Sequence, residues 1–252
     1  RHRKRGAEIA VVQQNSLLSE LSRLYFITPP KSHNGEYSAN EASGCMAANG
    51  CVRAMVLELA RPAQWDTLGA VWRGVQTDLG LPEPAIAVSG IDGHQLWFSL
   101  AEPVCAADAQ AFLEALRLRY LDTVEVPRIG MFAGANARIV PALQAESGQW
   151  SAFVSCDLAG IFTDEPWLDI APNPLAQARL LSRLECIKPR AFKAALAQIG
   201  APAAAPIAHA APLANALRLG PKNFLSDVMN DPAVALHLRI EAAKALLPYV
   251  EG

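Results

Sequence analysis

The stretch AVSGIDGHQLWFSLAEPV, residues 87–104, is the part of the chain from which the fold can be read. Residues 85–89 form a short β-like run, and Gly90-Ile91-Asp92-Gly93 punctuates it as a turn. A second run, residues 94–100, follows at once, so the pair predicts a hairpin. His94 stands where the second strand begins, and Trp97 and Phe98 must point to opposite faces by the two-residue period of a strand. Upstream, Trp65, Leu68, Trp72, Val75 and Leu79 fall on one helical stripe over residues 64–79, closed by Pro82 and Pro84. Before that, residues 52–59 (VRAMVLEL) are β-like and break at Pro62. Downstream, residues 106–121 predict a second amphipathic helix with Phe112, Leu113, Leu116 and Tyr120 inward and Asp108 in its first turn. Residues 124–132 and 150–156 complete the strand candidates.

The order strand, helix, strand, strand, helix, strand is that of a split βαβ sheet, an α+β class of the ferredoxin-like or RRM-like kind. Such a sheet carries its helices on one face and leaves the other open to ligands. Residues 1–165 are expected to form this core, together with a helix over residues 13–24 (Leu17, Leu18, Leu21, Leu24) and a Pro/Asn/Ser/Gly-rich loop after it. Residues 166–200 read as a helical extension with helices at 174–186 and 190–199. Residues 201–212 are an Ala/Pro linker, semi-extended by composition. Residues 213–252 read as short C-terminal helices, clearest at 236–250. Forty residues of short helix cannot bury a core alone, so they are expected to dock elsewhere or to bind a protein partner.

The chain has 252 residues, 52% of them hydrophobic and 18% charged, enough to bury a real core. Net charge is −2: residues 1–50 sum to +2, residues 51–160 to −5 and residues 161–252 to +1. An acidic middle argues against holding long duplex DNA by its phosphates, but it is where metal-binding carboxylates would sit. No apolar run reaches the roughly 20 residues of a membrane helix, and no apolar stretch of signal-peptide kind follows the basic start RHRKRG. No membrane association is expected. Five dispersed cysteines (Cys45, Cys51, Cys105, Cys156, Cys186) in a chain of this size predict reduced thiols and a cytoplasmic setting. Cys45 and Cys51, with His33 upstream, lack the spacing and the fourth ligand of a structural zinc site. G-x-S-x-G is absent, which argues against a serine hydrolase at Ser89.

The candidate chemistry lies in three separated stretches. Ser89, Gly90, Gly93 and His94 form S-G-x-x-G-H. Glycines at such a turn can let backbone N–H groups approach a phosphate, and the histidine can donate to it. Glu58 ends the first strand. Asp122 and Glu125 precede Arg128-Ile-Gly-Met-Phe-Ala-Gly-Ala-Asn136-Ala-Arg138. Arginine suits phosphate because its donor fork is planar, and whichever of Trp97 and Phe98 faces outward could stack a base.

In this order the stretches resemble the archaeo-eukaryotic-type primase superfamily, and Gln95, Trp97 and the segment around Arg128 resemble the plasmid replication primases of the MobA/RepB kind. The resemblance covers roughly residues 50–140. It implies a primase-like nucleotidyltransferase in replication of a plasmid, phage or integrated element. Two-metal phosphoryl transfer on a single-stranded template is its chemistry. Glu58, His94 and Asp122 would be catalytic. Ser89, Gly90, Gly93, His94, Arg128, Asn136 and Arg138 would bind the nucleoside triphosphate. Glu58, Asp122 and Glu125 would hold Mg²⁺ or Mn²⁺. The family expects two acids at the end of the first strand and this chain offers one, so its first acidic motif is degenerate. A catalytically decayed module that binds single-stranded nucleic acid or a nucleotide is the alternative, as is an interaction component of a replication complex. All these readings require Glu58, His94 and Arg128 to share one pocket.

Overall fold

A computed structural model describes residues 2–27, 50–134 and 137–200. Asn136, His33, Cys45, the 201–212 linker and the expected 213–252 helices lie outside the described residues. The first helix, α1 (His2–Leu24), is longer than its apolar stripe predicts. The expected sequence of elements then follows. β1 is Cys51–Ala60, α2 Trp65–Thr77, β2 Ala85–Val88, β3 Gly93–Cys105, α3 Ala106–Tyr120 and β4 Ile129–Ala133. β5 (Ala152–Val154) and the short α4 (Cys156–Ala159) lead to α5 (Pro174–Leu181) and α6 (Pro189–Gly200).

The five strands form one antiparallel sheet in the order β4-β1-β3-β2-β5. With β1, β3, β2 and β4 arranged in this way and α2 and α3 as the crossovers, the molecule is α+β and compatible with a ferredoxin-like class. β5 extends the sheet beyond β2.

Strand alternation sorts the core into two layers. Met55, Leu57 and Leu59 of β1 and Leu96, Phe98 and Leu100 of β3 face α2, α3 and α6, where they meet Leu68, Val71, Phe112, Leu116 and Phe192. Ala54 and Val56 of β1, Trp97 of β3 and Phe153 of β5 face the other way. That second face is not left bare, contrary to the expectation of an open sheet. α1 supplies Leu17, Leu21 and Leu24, the following turn supplies Tyr25 and Phe26, and α5 supplies Ala178 and Leu181. Trp97 is therefore as buried as Phe98. Tyr25 and Phe153 pack against its ring, with centroids 5.2 and 6.0 Å away. Neither aromatic stands on a bare sheet face.

Two boundaries differ from the sequence reading for identifiable reasons. Residues 124–132 are not strand throughout: Val126–Arg128 is a 3₁₀ turn containing Pro127, which has no N–H to give a ladder, and β4 starts only after it. The helix expected over 174–186 stops at Leu181 because Ile187 is recruited by β3: its N–H donates to Ser99 O (2.8 Å) and its carbonyl accepts from Ala101 N–H (2.9 Å). The 166–200 extension thus belongs to the same core, with α5 on one face of the sheet and α6 on the other. Among the described residues no helix is long and apolar enough to cross a membrane.

Candidate functional site

Where α1 and α5 stop covering the second sheet face, a pocket of about 210 Å³ remains. Val56 and Glu58 of β1, Gln95 and Trp97 of β3, and Phe132 of β4 form its floor and wall. Ser89 and Ile91 of the β2–β3 turn, with Ala137 and Arg138 after β4, close its rim. Register explains the floor. Glu58 lies opposite Gln95, and Val56 opposite Trp97, across the β1–β3 ladder, so all four side chains share a face.

Glu58 is fixed by a directed chain of hydrogen bonds. The indole N–H of Trp97 can only donate, and it donates to Gln95 Oε1 at 2.9 Å. That orients the Gln95 amide so that its Nε2 donates to Glu58 Oε2 at 2.5 Å. Burial pushes the Glu58 carboxyl above its ordinary value. The Gln95 hydrogen bond opposes this, the charge of Asp92 adds to it, and the charges of Arg138 and Arg61 oppose it. Room for the Glu58 side chain comes from glycines on both neighbouring strands. A Cβ on Gly93 would lie 3.0 Å from Glu58 Cγ, and one on Gly130, the β4 partner of Glu58, would lie 2.7 Å from the Phe132 ring and 3.2 Å from Glu58 Cβ.

The Gly-rich turn is not a phosphate cradle. Its N–H groups are already used: Ile91, Asp92 and Gly93 all donate to Ser89 Oγ, at 3.2, 3.1 and 2.9 Å. The N–H of Gly90 donates to Pro166 O at 3.0 Å. Gly90 has φ +78°, and a Cβ there would meet Gln144 Cγ and Ser151 N at 2.7 Å, so its glycine serves packing. What the turn does offer is the Ser89 hydroxyl. Its oxygen accepts the three N–H groups, which leaves its own proton as a donor at the pocket rim.

His94 is not part of this pocket, contrary to the expectation. It lies opposite Leu59, one position along from the Glu58–Gln95 pair, and so faces the α2 layer. It is fully buried, its Nε2 meets Ala159 O at 3.0 Å, and its ring packs on Trp65 at 5.9 Å. The carbonyl can only accept, so Nε2 carries the proton, and Nδ1 is an acceptor with no partner among the described residues. Burial pushes the imidazole below its ordinary value.

Arg128 is also turned away. Its guanidinium donates to Ala60 O, Pro62 O and Gln64 Oε1, clamping the chain between β1 and α2. Glu58, His94 and Arg128 therefore do not converge. Asp122 and Glu125 are exposed on the connection after α3, and the charges that act on Glu58 do not include theirs. Among the described residues no group of three or more His, Cys, Asp or Glu side chains could hold a metal ion. A two-metal centre does not fit this pocket: among the described residues Glu58 is the single acid lining it, and one of its oxygens is engaged by Gln95. Of the expected residues, the fold brings together Glu58, Ser89 and Arg138. Arg138 also pairs with Glu146 at 2.9 Å, an exposed contact of small energetic worth.

The sequence reading gave no role to the pocket's apolar lining, Val56, Ile91, Phe132 and Ala137. The common parity of Val56 with Glu58 on one strand, and of Gln95 with Trp97 on the next, was the available signal. Phe132, Ile91 and Ala137 arrive from turns and an edge strand, for which no such signal exists. No family model matches the chain, and no curated protein matches it significantly.

Proposed function

We propose that the chain is a binding module, which takes a nucleotide or an unpaired base of single-stranded nucleic acid into the pocket on the second face of its sheet. The observation that carries this reading is the make-up of that pocket. Apolar side chains (Val56, Trp97, Phe132) border a small set of oriented polar groups: Glu58, Gln95, Ser89 and Arg138. Ligand sites for flat, polar-edged molecules are built in this way, with apolar walls for the ring and a few placed donors and acceptors for its edge. Arg138 at the rim adds a cation where a phosphate would emerge. The resemblance itself adds nothing here, since Glu58, His94 and Arg128 do not share the pocket, and the reading rests on the pocket's own lining. The dispersal of Glu58, Asp122 and Glu125 favours binding over nucleotidyl transfer.

The test is fluorescence anisotropy with a labelled single-stranded oligonucleotide, together with equilibrium dialysis of labelled nucleoside monophosphates. Saturable binding is expected, weakened about tenfold or more by Arg138→Ala, since a charge-assisted contact to phosphate is lost. Absence of binding to either class of ligand overturns the reading. Template-dependent synthesis with Mg²⁺ or Mn²⁺, abolished by Glu58→Ala, would restore the enzymatic one.

A further inference from the structure

We infer that the pocket selects guanine, with the N1–H and N2–H edge of the base against the carboxylate of Glu58. This rests on the nucleotide-binding reading and names the base it would take. When ionised, a carboxylate only accepts hydrogen bonds. Glu58 Oε2 takes one from Gln95 Nε2, and among the described residues Oε1 takes none, so a side chain that lines the pocket keeps acceptor capacity. Two adjacent acceptors are complemented by two adjacent donors. Of the common bases, guanine alone presents such a pair on its Watson–Crick edge. Adenine, cytosine and uracil each set a single donor position beside an acceptor.

The other polar groups extend the match. Guanine carries O6, an acceptor, next to N1–H. The Ser89 hydroxyl, whose oxygen is occupied by three backbone N–H groups, and the Arg138 guanidinium are donors on the same rim. The site therefore offers donors beside the carboxylate acceptors, the complement of guanine's acceptor, donor, donor edge. Its orientation is locked rather than adaptable, because the Trp97 indole fixes the Gln95 amide and the amide fixes Glu58. A buried polar group left without its partner is costly, so a base with the wrong edge is rejected rather than tolerated.

Ionisation of Glu58 enters as a second readout. The groups that act on it are Gln95, Asp92, Arg138 and Arg61. Only the ionised carboxylate accepts from both guanine donors. Affinity for guanine must then fall as pH drops through the raised value of Glu58, whereas a neutral carboxylic acid would favour a base with an acceptor edge.

The 252-residue chain is titrated calorimetrically with GMP, IMP, AMP, CMP and UMP at pH 7.5 and at pH 5. GMP is expected to bind about tenfold or more tighter than AMP, CMP or UMP. IMP, which lacks the 2-amino group, should fall between. Glu58→Gln keeps the shape but replaces one acceptor by a donor, and it should weaken GMP more than any of the others and bring it down to their level. Thermal melting of the variant checks that it is folded. Equal affinity for all five nucleotides, or an equal loss for all five in Glu58→Gln, overturns guanine selection and leaves nucleotide binding standing. Tighter GMP binding at pH 5 than at pH 7.5 also overturns it. Failure of every nucleotide and of the oligonucleotide to bind removes both readings.

Discussion

Glu58 and His94 lie one ladder position apart, and that single step separates their chemistry. Glu58 faces the pocket with Gln95, while His94 faces the α2 layer with Leu59. His94 is fully buried and Glu58 partly so, and burial disfavours the charged form of each. For Glu58, the folded value lies above the ordinary 4.5, so the folded state binds the proton more tightly than the unfolded chain. Stability contributed in this way is complete below the ordinary value and is lost as pH rises through the raised one. Glu58→Gln is therefore expected to melt at a higher temperature than the parent at pH 7.5, with the difference vanishing near pH 4, as read by thermal denaturation. For His94, the folded value lies below the ordinary 6.5. Its contribution is complete above 6.5 and is lost as pH falls towards the lowered value, because burial disfavours the charged ring and a proton on Nδ1 finds no acceptor among the described residues. His94→Phe should flatten the fall in melting temperature between pH 6.5 and pH 5. It should leave ligand binding at pH 7.5 unchanged, which directly separates this histidine from the site.

At the scale of the element, the β2–β3 hairpin shows how a turn can look like a ligand loop and be something else. Gly93 is glycine because Glu58 of the neighbouring strand occupies the space of its Cβ, and Gly90 because residues 144–151 pack against it. Gly93→Ala is expected to displace Glu58, weakening ligand binding about tenfold or more and costing about 1–3 kcal/mol in urea denaturation. The same logic of side chain serving backbone appears at the edge of the sheet. Gln177 of α5 both accepts from Phe153 N–H (2.8 Å) and donates to Phe153 O (2.9 Å), occupying the outer hydrogen-bonding edge of β5 as another strand would. Both bonds are buried, so Gln177→Leu leaves two backbone groups without partners. A loss of about 2–6 kcal/mol is expected, at about 1–3 kcal/mol for each unsatisfied group. Amide exchange of Phe153 should quicken with it.

At the scale of the molecule, two apolar layers flank one sheet, and the layers come from distant parts of the chain. α1 and α5 roof part of the second face, and α6 locks onto α3, with Phe192 set against Phe112 at a centroid distance of 5.3 Å. Phe192→Ala should cost about 3–5 kcal/mol in chemical denaturation, as a core residue would. Unfolding of residues 189–200 independently of the sheet would be the contrary result. The pocket is a consequence of this arrangement: it is the portion of the second face that α1 and α5 leave uncovered.

The two periodicities, 3.6 and 2, made α2, α3, β1 and the hairpin readable in the sequence, because each of these elements exposes one face and buries another. The element order followed from them, and with it the α+β class. Periodicity also required Trp97 and Phe98 to face opposite ways, but it could not say that α1 and α5 would cover Trp97. That depends on helices far along the chain docking on the second face. Nor could it say which side His94 would take relative to Glu58, since that turns on the register of β1 against β3. Ladder register and helix docking are set by contacts between segments remote in sequence, and it is those contacts that united Glu58 with Gln95, Ser89 and Arg138 while sending His94 and Arg128 elsewhere.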